Sequence, residues 1–171
     1  MPTILITGAG RGLGLELARQ SAEDGWRVIG TVRDDAGAAR LKKLGAETLR
    51  LDVAAPAQAR KALSLKDPID ILFCNAGTIG KRGAALGSFD YADWEDLLRV
   101  NLLAKGLAAS LAPRGIILVA VSPGWVRTDM GGAGAPLSPE DSVRGLRKVL
   151  GGLRPQDSGR FFSHDGSAIP W

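Results

Sequence analysis

The sequence predicts a doubly wound α/β fold, in which a parallel sheet is covered by helices on both faces. Apolar runs typical of buried strands alternate with helical repeats, and glycines punctuate the connections between them. No linker, internal repeat or low-complexity tract divides the 171 residues, a length typical of one domain. We therefore expect residues 1–171 to form a single domain.

The first half of the chain alternates strand and helix patterns. The predicted elements are strand Thr3–Thr7, helix Leu13–Asp24, strand Arg27–Val32, helix Ala38–Leu44, strand Glu47–Asp52, helix Ala57–Leu65 and buried strand Ile69–Cys74. In the first helix, Leu13, Leu17 and Ala18 recur at the spacing of one helix face. Residues 75–90, which contain four glycines, are expected to form a loop.

The second half continues with a long helix and a further strand. A helical pattern extends over Tyr91–Ala112, and Ile116–Val121 is the most continuous apolar run in the chain. Ser138 is a typical N-cap residue, and the proline and acidic residues after it predict the start of a helix. A last short strand is expected at Arg160–Ser163.

Composition argues against several classes of protein. One cysteine cannot form an internal disulfide, which favours a reducing, cytoplasmic location, and one histidine argues against a histidine metal site or a Ser-His-Asp triad. No apolar run is long enough to span a membrane, and no basic segment precedes the first apolar run as in a signal peptide. The net charge is +4, but the basic residues are scattered, so we expect a solvated basic surface and no nucleic-acid binding.

The strongest functional signal is a glycine-rich loop between the first strand and the first helix. It contains Gly8, Gly12 and Gly14. Glycines remove side chains where a backbone turns sharply and where a diphosphate must approach it, and the helix start offers N–H groups to the anion. The alternative is a tight strand–helix turn that binds nothing. The position of the loop favours a dinucleotide site.

Further motifs follow in a fixed order. They are Thr7 before the glycines, Leu51-Asp52-Val53, Asn75-Ala76-Gly77, Val100-Asn101, the segment Ser122-Pro123-Gly124-Trp125-Val126-Arg127-Thr128, and the tail 165–171. With the glycine spacing, this set resembles the short-chain dehydrogenase/reductase family and its small C-factor-like bacterial members. The resemblance covers essentially the whole chain and implies a Rossmann-like, dinucleotide-binding domain.

The resemblance also implies which residues contact the cofactor. They are Gly8, Arg11, Gly12, Leu13, Gly14, Arg33, Asp52, Val53, Asn75, Ala76, Gly77, Pro123, Gly124, Val126 and Thr128. Asn101 matches the family's structural and proton-relay asparagine and is the one remnant of its catalytic set. No metal is expected.

The residue after the second strand bears on the choice of cofactor. NAD(H) sites usually carry an acid there, which bonds the ribose hydroxyls, whereas the 2′-phosphate of NADP(H) is better matched by arginine. This chain has Arg33 at that point and Arg11 in the glycine loop, which favours NADP(H) over NAD(H). The alternative for Arg33 is a surface salt bridge with Asp34 or Asp35.

The family's catalytic Ser, Tyr and Lys are missing from their expected places. The single tyrosine, Tyr91, precedes Asn101, whereas the family's tyrosine follows it. Lys105 lies about 21 Å farther along a helix, too far for a Tyr–Lys pair. The chain therefore lacks about one βα unit between Asn101 and Pro113. We expect one fused helix from about Trp94 to Ala112, and direct pairing between the strands on either side of it, Ile69–Cys74 and Ile116–Val121.

Two functions follow from this sequence. The first is an NADP(H)-dependent oxidoreductase that acts on a small carbonyl or alcohol, with activity impaired or absent because Ser, Tyr and Lys are missing. The second is a non-catalytic NADP(H)-binding or regulatory protein. A third interpretation is that the gap is not native and that the whole protein has an ordinary active site. The substrate is unspecified, and both a monomer and a homo-oligomer stay open.

Overall fold

The computed structural model describes residues 1–52, 68–76, 108–109 and 111–170. They belong to two compact units, Met1–Ala76 and Gly77–Trp171, each with its own sheet. The single domain expected from sequence stays a prediction. The predicted helix Ala57–Leu65, and most of the predicted loop 75–90 and helix Tyr91–Ala112, lie outside the described residues.

The first unit contains a parallel sheet. Its strands are β1 (Thr3–Ile6), β2 (Arg27–Val32), β3 (Glu47–Arg50) and β4 (Ile71–Phe73), in the spatial order β3-β2-β1-β4. Every pairing between them is parallel, as the alternation of strands and helices predicts. All four residues of β1 are buried, which places the centre of the core along this strand.

Two helices follow β1 and β2 in the first unit. Helix α1 (Gly12–Glu23) buries Leu17, and helix α2 (Asp35–Lys43) buries Leu41. A Cβ on Gly30 of β2 would lie only 2.5 Å from Leu41 Cδ1, so glycine at this position permits the close packing of α2 on the sheet. The predictions of β1, α1, β2, α2 and β3 are confirmed to within a few residues at each boundary.

The prediction that Ile69–Cys74 is a fully buried strand is wrong. Regular strand structure covers only Ile71–Phe73, and the Leu72 side chain is 49% exposed. The reason is that β4 lies at the edge of the described sheet, where it pairs with β1 alone. An edge strand has a neighbouring strand on one side only, so its side chains are covered less than those of a central strand.

The second unit contains a three-stranded mixed sheet. Strand β5 (Ala120–Ser122) runs parallel to β6 (Phe161–Ser163), and β6 is antiparallel to β7 (Ala168–Ile169). Sequence analysis predicted β6 but missed β7, because two residues are too few for an alternating pattern to show. Short 3₁₀ turns cover Ala112–Arg114 and Pro155–Asp157.

Helix α3 (Pro139–Gly152) of the second unit begins at the predicted cap. Ser138 Oγ accepts a hydrogen bond from the Asp141 backbone N–H at 3.0 Å and donates one to Asp141 Oδ2 at 2.7 Å. This hydroxyl and Arg144 hold the pKa of Asp141 below its usual value. Val143 and Leu146 are buried, as their helical spacing predicts.

The predicted direct pairing of Ile69–Cys74 with Ile116–Val121 stays a prediction. β4 lies in the first unit, where it pairs with β1, and β5 lies in the second unit, where it pairs with β6. The apolar run that suggested a long strand is regular only over Ala120–Ser122, since residues 116–119 have no regular structure. In the described ranges, no helix is long and apolar enough to cross a membrane.

Candidate dinucleotide-binding site

Thr7, directly after β1, joins the glycine loop to the segment that follows β4. Its backbone N–H donates to the Phe73 carbonyl at 3.0 Å. Its Oγ1 accepts hydrogen bonds from the backbone N–H groups of Asn75 and Ala76, each at 3.0 Å. Because β1 and β4 are parallel, they end at the same edge of the sheet. Two predicted cofactor-binding segments therefore meet at Thr7.

The side chain of Asn75 braces the glycine loop. Its Nδ2 donates to the carbonyl oxygens of Thr7 and Gly8, both at 3.1 Å. A primary amide has two N–H groups, and here both bond the loop backbone. The structure therefore gives the Asn75 amide a role in fixing the shape of the loop.

The motif glycines occupy positions that a larger residue would not fit. Gly8 and Gly12 have φ of +66° and +54°, in the left-handed region that favours glycine. A Cβ on Gly14 would lie 2.5 Å from Asn75 Nδ2 and 2.6 Å from the Gly8 carbonyl oxygen. With Gly10, these glycines make four of the seven residues 8–14, which keeps the loop backbone compact and accessible, as a diphosphate requires.

The start of α1 is open to an anion. Arg11 is the N-cap residue, its side chain makes no capping hydrogen bond, and the first turn carries no acidic residue. The first N–H groups of a helix, here those of Gly12, Leu13 and Gly14, have no carbonyl partner within the helix. With the positive end of the helix dipole, they suit a diphosphate. The residues of this loop thus fit a dinucleotide.

Arg33 lies immediately after β2 and is exposed. Both acidic residues beside it bond elsewhere: Asp34 Oδ1 accepts from the Gly37 N–H at 2.6 Å, and Asp35 forms an ion pair with Arg50. The alternative of a surface salt bridge between Arg33 and these neighbours is therefore not the arrangement found. Among the described residues, neither Asp34 nor Asp35 forms an ion pair with Arg33.

Sequence reasoning missed Arg40, which touches the glycine loop from α2. Its Nη1 donates to the Gly10 carbonyl oxygen at 2.6 Å. A signal for this contact is present in the sequence, because Gly10 and Gly37 both fall outside the recognised motif. Extra glycines of this kind mark a close approach between two backbone segments.

The remaining predicted site residues that precede Pro123 divide into two groups. The Leu51 N–H donates to the Val32 carbonyl at 3.0 Å, so Asp52 follows the carboxyl end of β3, at the edge where the glycine loop lies. Val53, Gly77 and Asn101 lie outside the described residues, as do Tyr91 and Lys105.

In the second unit, the Pro-Gly segment follows β5 and is anchored by a buried serine. Ser142 of α3 is fully buried, and its Oγ donates to the Pro123 carbonyl oxygen at 2.7 Å. Gly124 has φ of +76°, and a Cβ there would lie 2.6 Å from Leu137 Cδ1. The Ser142 bond and the packing at Gly124 therefore fix the backbone of the segment after β5.

The residues after Gly124 form a closed loop, residues 125–137, which we call the 125–137 loop. The Arg127 N–H donates to the Leu137 carbonyl at 2.9 Å. The Arg127 guanidinium donates to the carbonyl oxygens of Ala135 and Pro136, at 3.1 and 2.8 Å. One arginine thus fastens the two ends of the loop together.

Thr128 and Trp125 are fixed within this loop by Gly131. Thr128 Oγ1 accepts from the Gly131 N–H at 3.1 Å, and Trp125 Nε1 donates to the Gly131 carbonyl at 2.8 Å. Val126 is buried, whereas the Trp125 side chain is 60% exposed. A hydroxyl that accepts one bond keeps its proton to donate, so Thr128 is chemically suited to bind an amide carbonyl.

His164 lies after β6, beside a strongly acidic carboxyl group. Its Nδ1 is 3.2 Å from Ser163 Oγ. Hydrogen bonds from the Ser167 hydroxyl and backbone N–H lower the pKa of Asp165 to about 2. The described residues contain no group of three His, Cys, Asp or Glu side chains placed to hold a metal ion.

Comparison with known proteins places this geometry in a family. The family model for short chain dehydrogenases matches residues 2–105. The chain is similar to C-signal of Myxococcus xanthus, with 46% identity over 72 residues that cover 42% of this chain and 43% of that protein. It spans about half the length of several curated relatives that it matches.

Two further similarities extend over nearly the whole chain. The short chain dehydrogenase gsfK of Penicillium aethiopicum is 28% identical over 250 aligned positions, with 99% of each chain covered. A short-chain dehydrogenase/reductase from Burkholderia multivorans, solved with bound NADP, has a TM-score of 0.79 and 28% identity, with 99% of each chain covered. The α/β fold and the family expected from sequence are thereby confirmed. The chain belongs to the short-chain dehydrogenase family.

Proposed function

We propose that this chain binds NADP(H) through its glycine loop and is an oxidoreductase with weak activity on a small carbonyl or alcohol. The observation that carries the proposal is the loop itself, with Gly8, Gly12 and Gly14 bare and the start of α1 uncapped. Arg33, with Asp34 and Asp35 bonded elsewhere, supports a preference for the additional phosphate of NADP(H). The similar Burkholderia protein was solved with bound NADP.

Two observations support the loss of about one βα unit between Asn101 and Pro113. The family match stops at residue 105, within this interval. The alignment with gsfK has 250 positions against 171 residues here, and it covers 99% of both chains, so the unmatched positions fall inside the chain. We propose that the family's Ser, Tyr and Lys were carried by this missing segment.

The missing residues determine how fast the chain can turn over. When bound, NADPH supplies a hydride to a carbonyl carbon, and a proton must reach the carbonyl oxygen. Without the positioned tyrosine, that proton comes from water, and loss of a positioned acid lowers the rate by about 10²–10⁴-fold. We propose that Pro123, Gly124, Val126 and Thr128 serve the nicotinamide end of the cofactor, as the resemblance implies.

A second candidate function is non-catalytic NADP(H) binding, in which cofactor occupancy regulates the protein. It is favoured by the fact that the bonds fixing the glycine loop come from Thr7, Asn75 and Arg40, none of which belongs to the catalytic set. The bonds that fix the glycine loop therefore do not depend on the catalytic residues.

Titration with NADPH and NADH tests the proposal. We expect wild-type protein to bind NADPH more tightly than NADH, and Arg33→Asp to weaken NADPH binding by about 10- to 100-fold because a charge-assisted bond is lost and repulsion is added. Arg114→Asp, at an exposed position in the second unit, is the matched control and should leave binding unchanged.

Assays of NADPH oxidation with a panel of small aldehydes then separate the two functions. Binding with slow oxidation supports the oxidoreductase, and binding without oxidation supports the regulatory protein. Failure of the wild-type protein to bind NADPH would contradict both. An unchanged preference in Arg33→Asp would contradict the assignment of the cofactor.

A further inference from the structure

Arg40 forms a side-chain contact with the glycine loop that lies outside the recognised motif. It is on α2, and its Nη1 donates to the Gly10 carbonyl oxygen at 2.6 Å across 30 residues of sequence. A guanidinium group has five N–H donors, and this bond uses one of them. The side chain is therefore held against the loop while most of its donors stay accessible, since Arg40 is exposed.

Two glycines allow α2 to pack closely against the glycine loop. A Cβ on Gly10 would lie 3.0 Å from Gly37 Cα and 3.3 Å from Val32 Cγ1, and a Cβ on Gly37 would lie 3.1 Å from Gly10 Cα. Neither glycine has a positive φ, so the reason for glycine is space and not backbone conformation. The glycine loop, the end of β2 and the first turn of α2 therefore meet at one point.

Three arginines lie where the glycine loop, the end of β2 and α2 meet. Arg11 follows Gly10 in the chain, Arg33 follows Val32, and Arg40 bonds to Gly10. Of the two acids next to Arg33, Asp34 caps α2 and Asp35 pairs with Arg50. These three arginines place several cationic donors beside the glycine loop, which we propose binds the diphosphate.

We propose that Arg40 is a specificity-determining residue that binds the 2′-phosphate of NADP(H) together with Arg33. This inference rests on the proposed function and extends it. Arginine binds phosphate through two parallel N–H groups, and the bond to Gly10 fixes the guanidinium before the ligand arrives. A lysine offers only a point charge and lacks this pair of parallel donors. Arg33 at the end of β2 and Arg40 on α2 therefore act together to discriminate NADP(H) from NAD(H).

Binding of four ligands to three variants tests the role of Arg40. The ligands are NADPH and 2′,5′-ADP, which carry the phosphate, and NADH and 5′-AMP, which do not. We expect Arg40→Gln, which keeps a polar side chain but loses the charge, to weaken the phosphate-bearing ligands by about 10-fold or more. The other two ligands should change by less than about twofold.

Two further variants separate this role from folding and from general charge. Arg40→Ala removes the whole polar part of the side chain and should weaken the phosphate-bearing ligands at least as much as Arg40→Gln. Lys43→Ala, which removes an equal charge from the same helix, should change no ligand by more than about twofold. Thermal unfolding of each variant verifies that it is folded.

Several results would overturn the inference. They are equal weakening of all four ligands by Arg40→Gln, no weakening at all, or an equal effect of Lys43→Ala. Each of these leaves NADPH binding by the wild-type protein intact and so spares the proposed function. Failure of the wild-type protein to bind either NADPH or 2′,5′-ADP would instead contradict the proposed function and, with it, this inference.

Discussion

The glycine loop of the first unit and the 125–137 loop of the second are stabilised by different means. Bonds to the glycine loop come from other elements: Thr31 Oγ1 accepts from the Gly8 N–H at 3.0 Å, and Asn75 and Arg40 bond its carbonyls. In the 125–137 loop, Arg127 and Trp125 bond backbone groups of the loop itself.

This difference has a consequence for how each loop responds to change. The shape of the glycine loop depends on the assembled sheet edge, because its partners lie 23 to 68 residues away in sequence. The 125–137 loop depends on local bonds that span up to twelve residues. We therefore expect a perturbation of the first loop to extend through its unit and one of the second to stay local.

The largest effect is expected for Gly14→Ala. Its new Cβ would clash with Asn75 Nδ2 and with the Gly8 carbonyl, so the loop must shift and the stability should fall by about 1–3 kcal/mol. We expect NADPH binding to weaken at least about 100-fold, by fluorescence titration, because the displaced loop misaligns its N–H donors.

A matched control for this substitution exists in α3. Gly151→Ala places a Cβ with nothing within 4 Å and should leave both binding and stability unimpaired. Hydrogen exchange should show faster exchange around residues 8–14 and 73–76 in Gly14→Ala, with residues 125–137 unchanged. Equally faster hydrogen exchange in both loops would contradict the difference that we infer between them.

A smaller effect is expected for Ser142→Ala in the second unit. The variant removes the buried hydroxyl that bonds the Pro123 carbonyl, which should lower stability by about 1 kcal/mol in denaturant unfolding. Faster amide exchange should be confined to the Pro-Gly segment and the loop after it. Faster exchange in the glycine loop as well would show that the two loops do not respond independently.

The smallest effect is expected for Ser167→Ala. In the wild-type protein, Ser167 holds the pKa of Asp165 at about 2, below its ordinary 3.8. Because the folded-state pKa is lowered, this interaction stabilises the fold above pH 3.8 and is lost as the pH falls toward 2. The variant should raise the pKa of Asp165 in an NMR titration, whereas a value still near 2 would contradict the assigned cause.

Much of the first unit was predictable because its signals are local. Alternating strand and helix patterns located β1, α1 and β2, and the glycine spacing located the loop. Burial in β4 was mispredicted because Leu72 is an apolar residue of the kind found in cores but lies on a strand at the edge of the described sheet, and strand order is not encoded in a local pattern.

The contacts that complete the site were harder to predict from sequence. Arg40 and Gly10 are 30 residues apart, and only the packing of α2 on the loop brings them together. The ion pair between Asp35 and Arg50 likewise depends on where α2 begins and where β3 ends. Both contacts follow from tertiary packing between segments that are distant in sequence.

A crystal structure of the protein grown with excess NADPH tests the central claim most directly. We predict that the diphosphate lies against the backbone N–H groups of Gly12, Leu13 and Gly14, with the 2′-phosphate toward Arg33 and Arg40. A structure in which NADPH is absent from the glycine loop at saturating concentration, or is bound elsewhere, would contradict it.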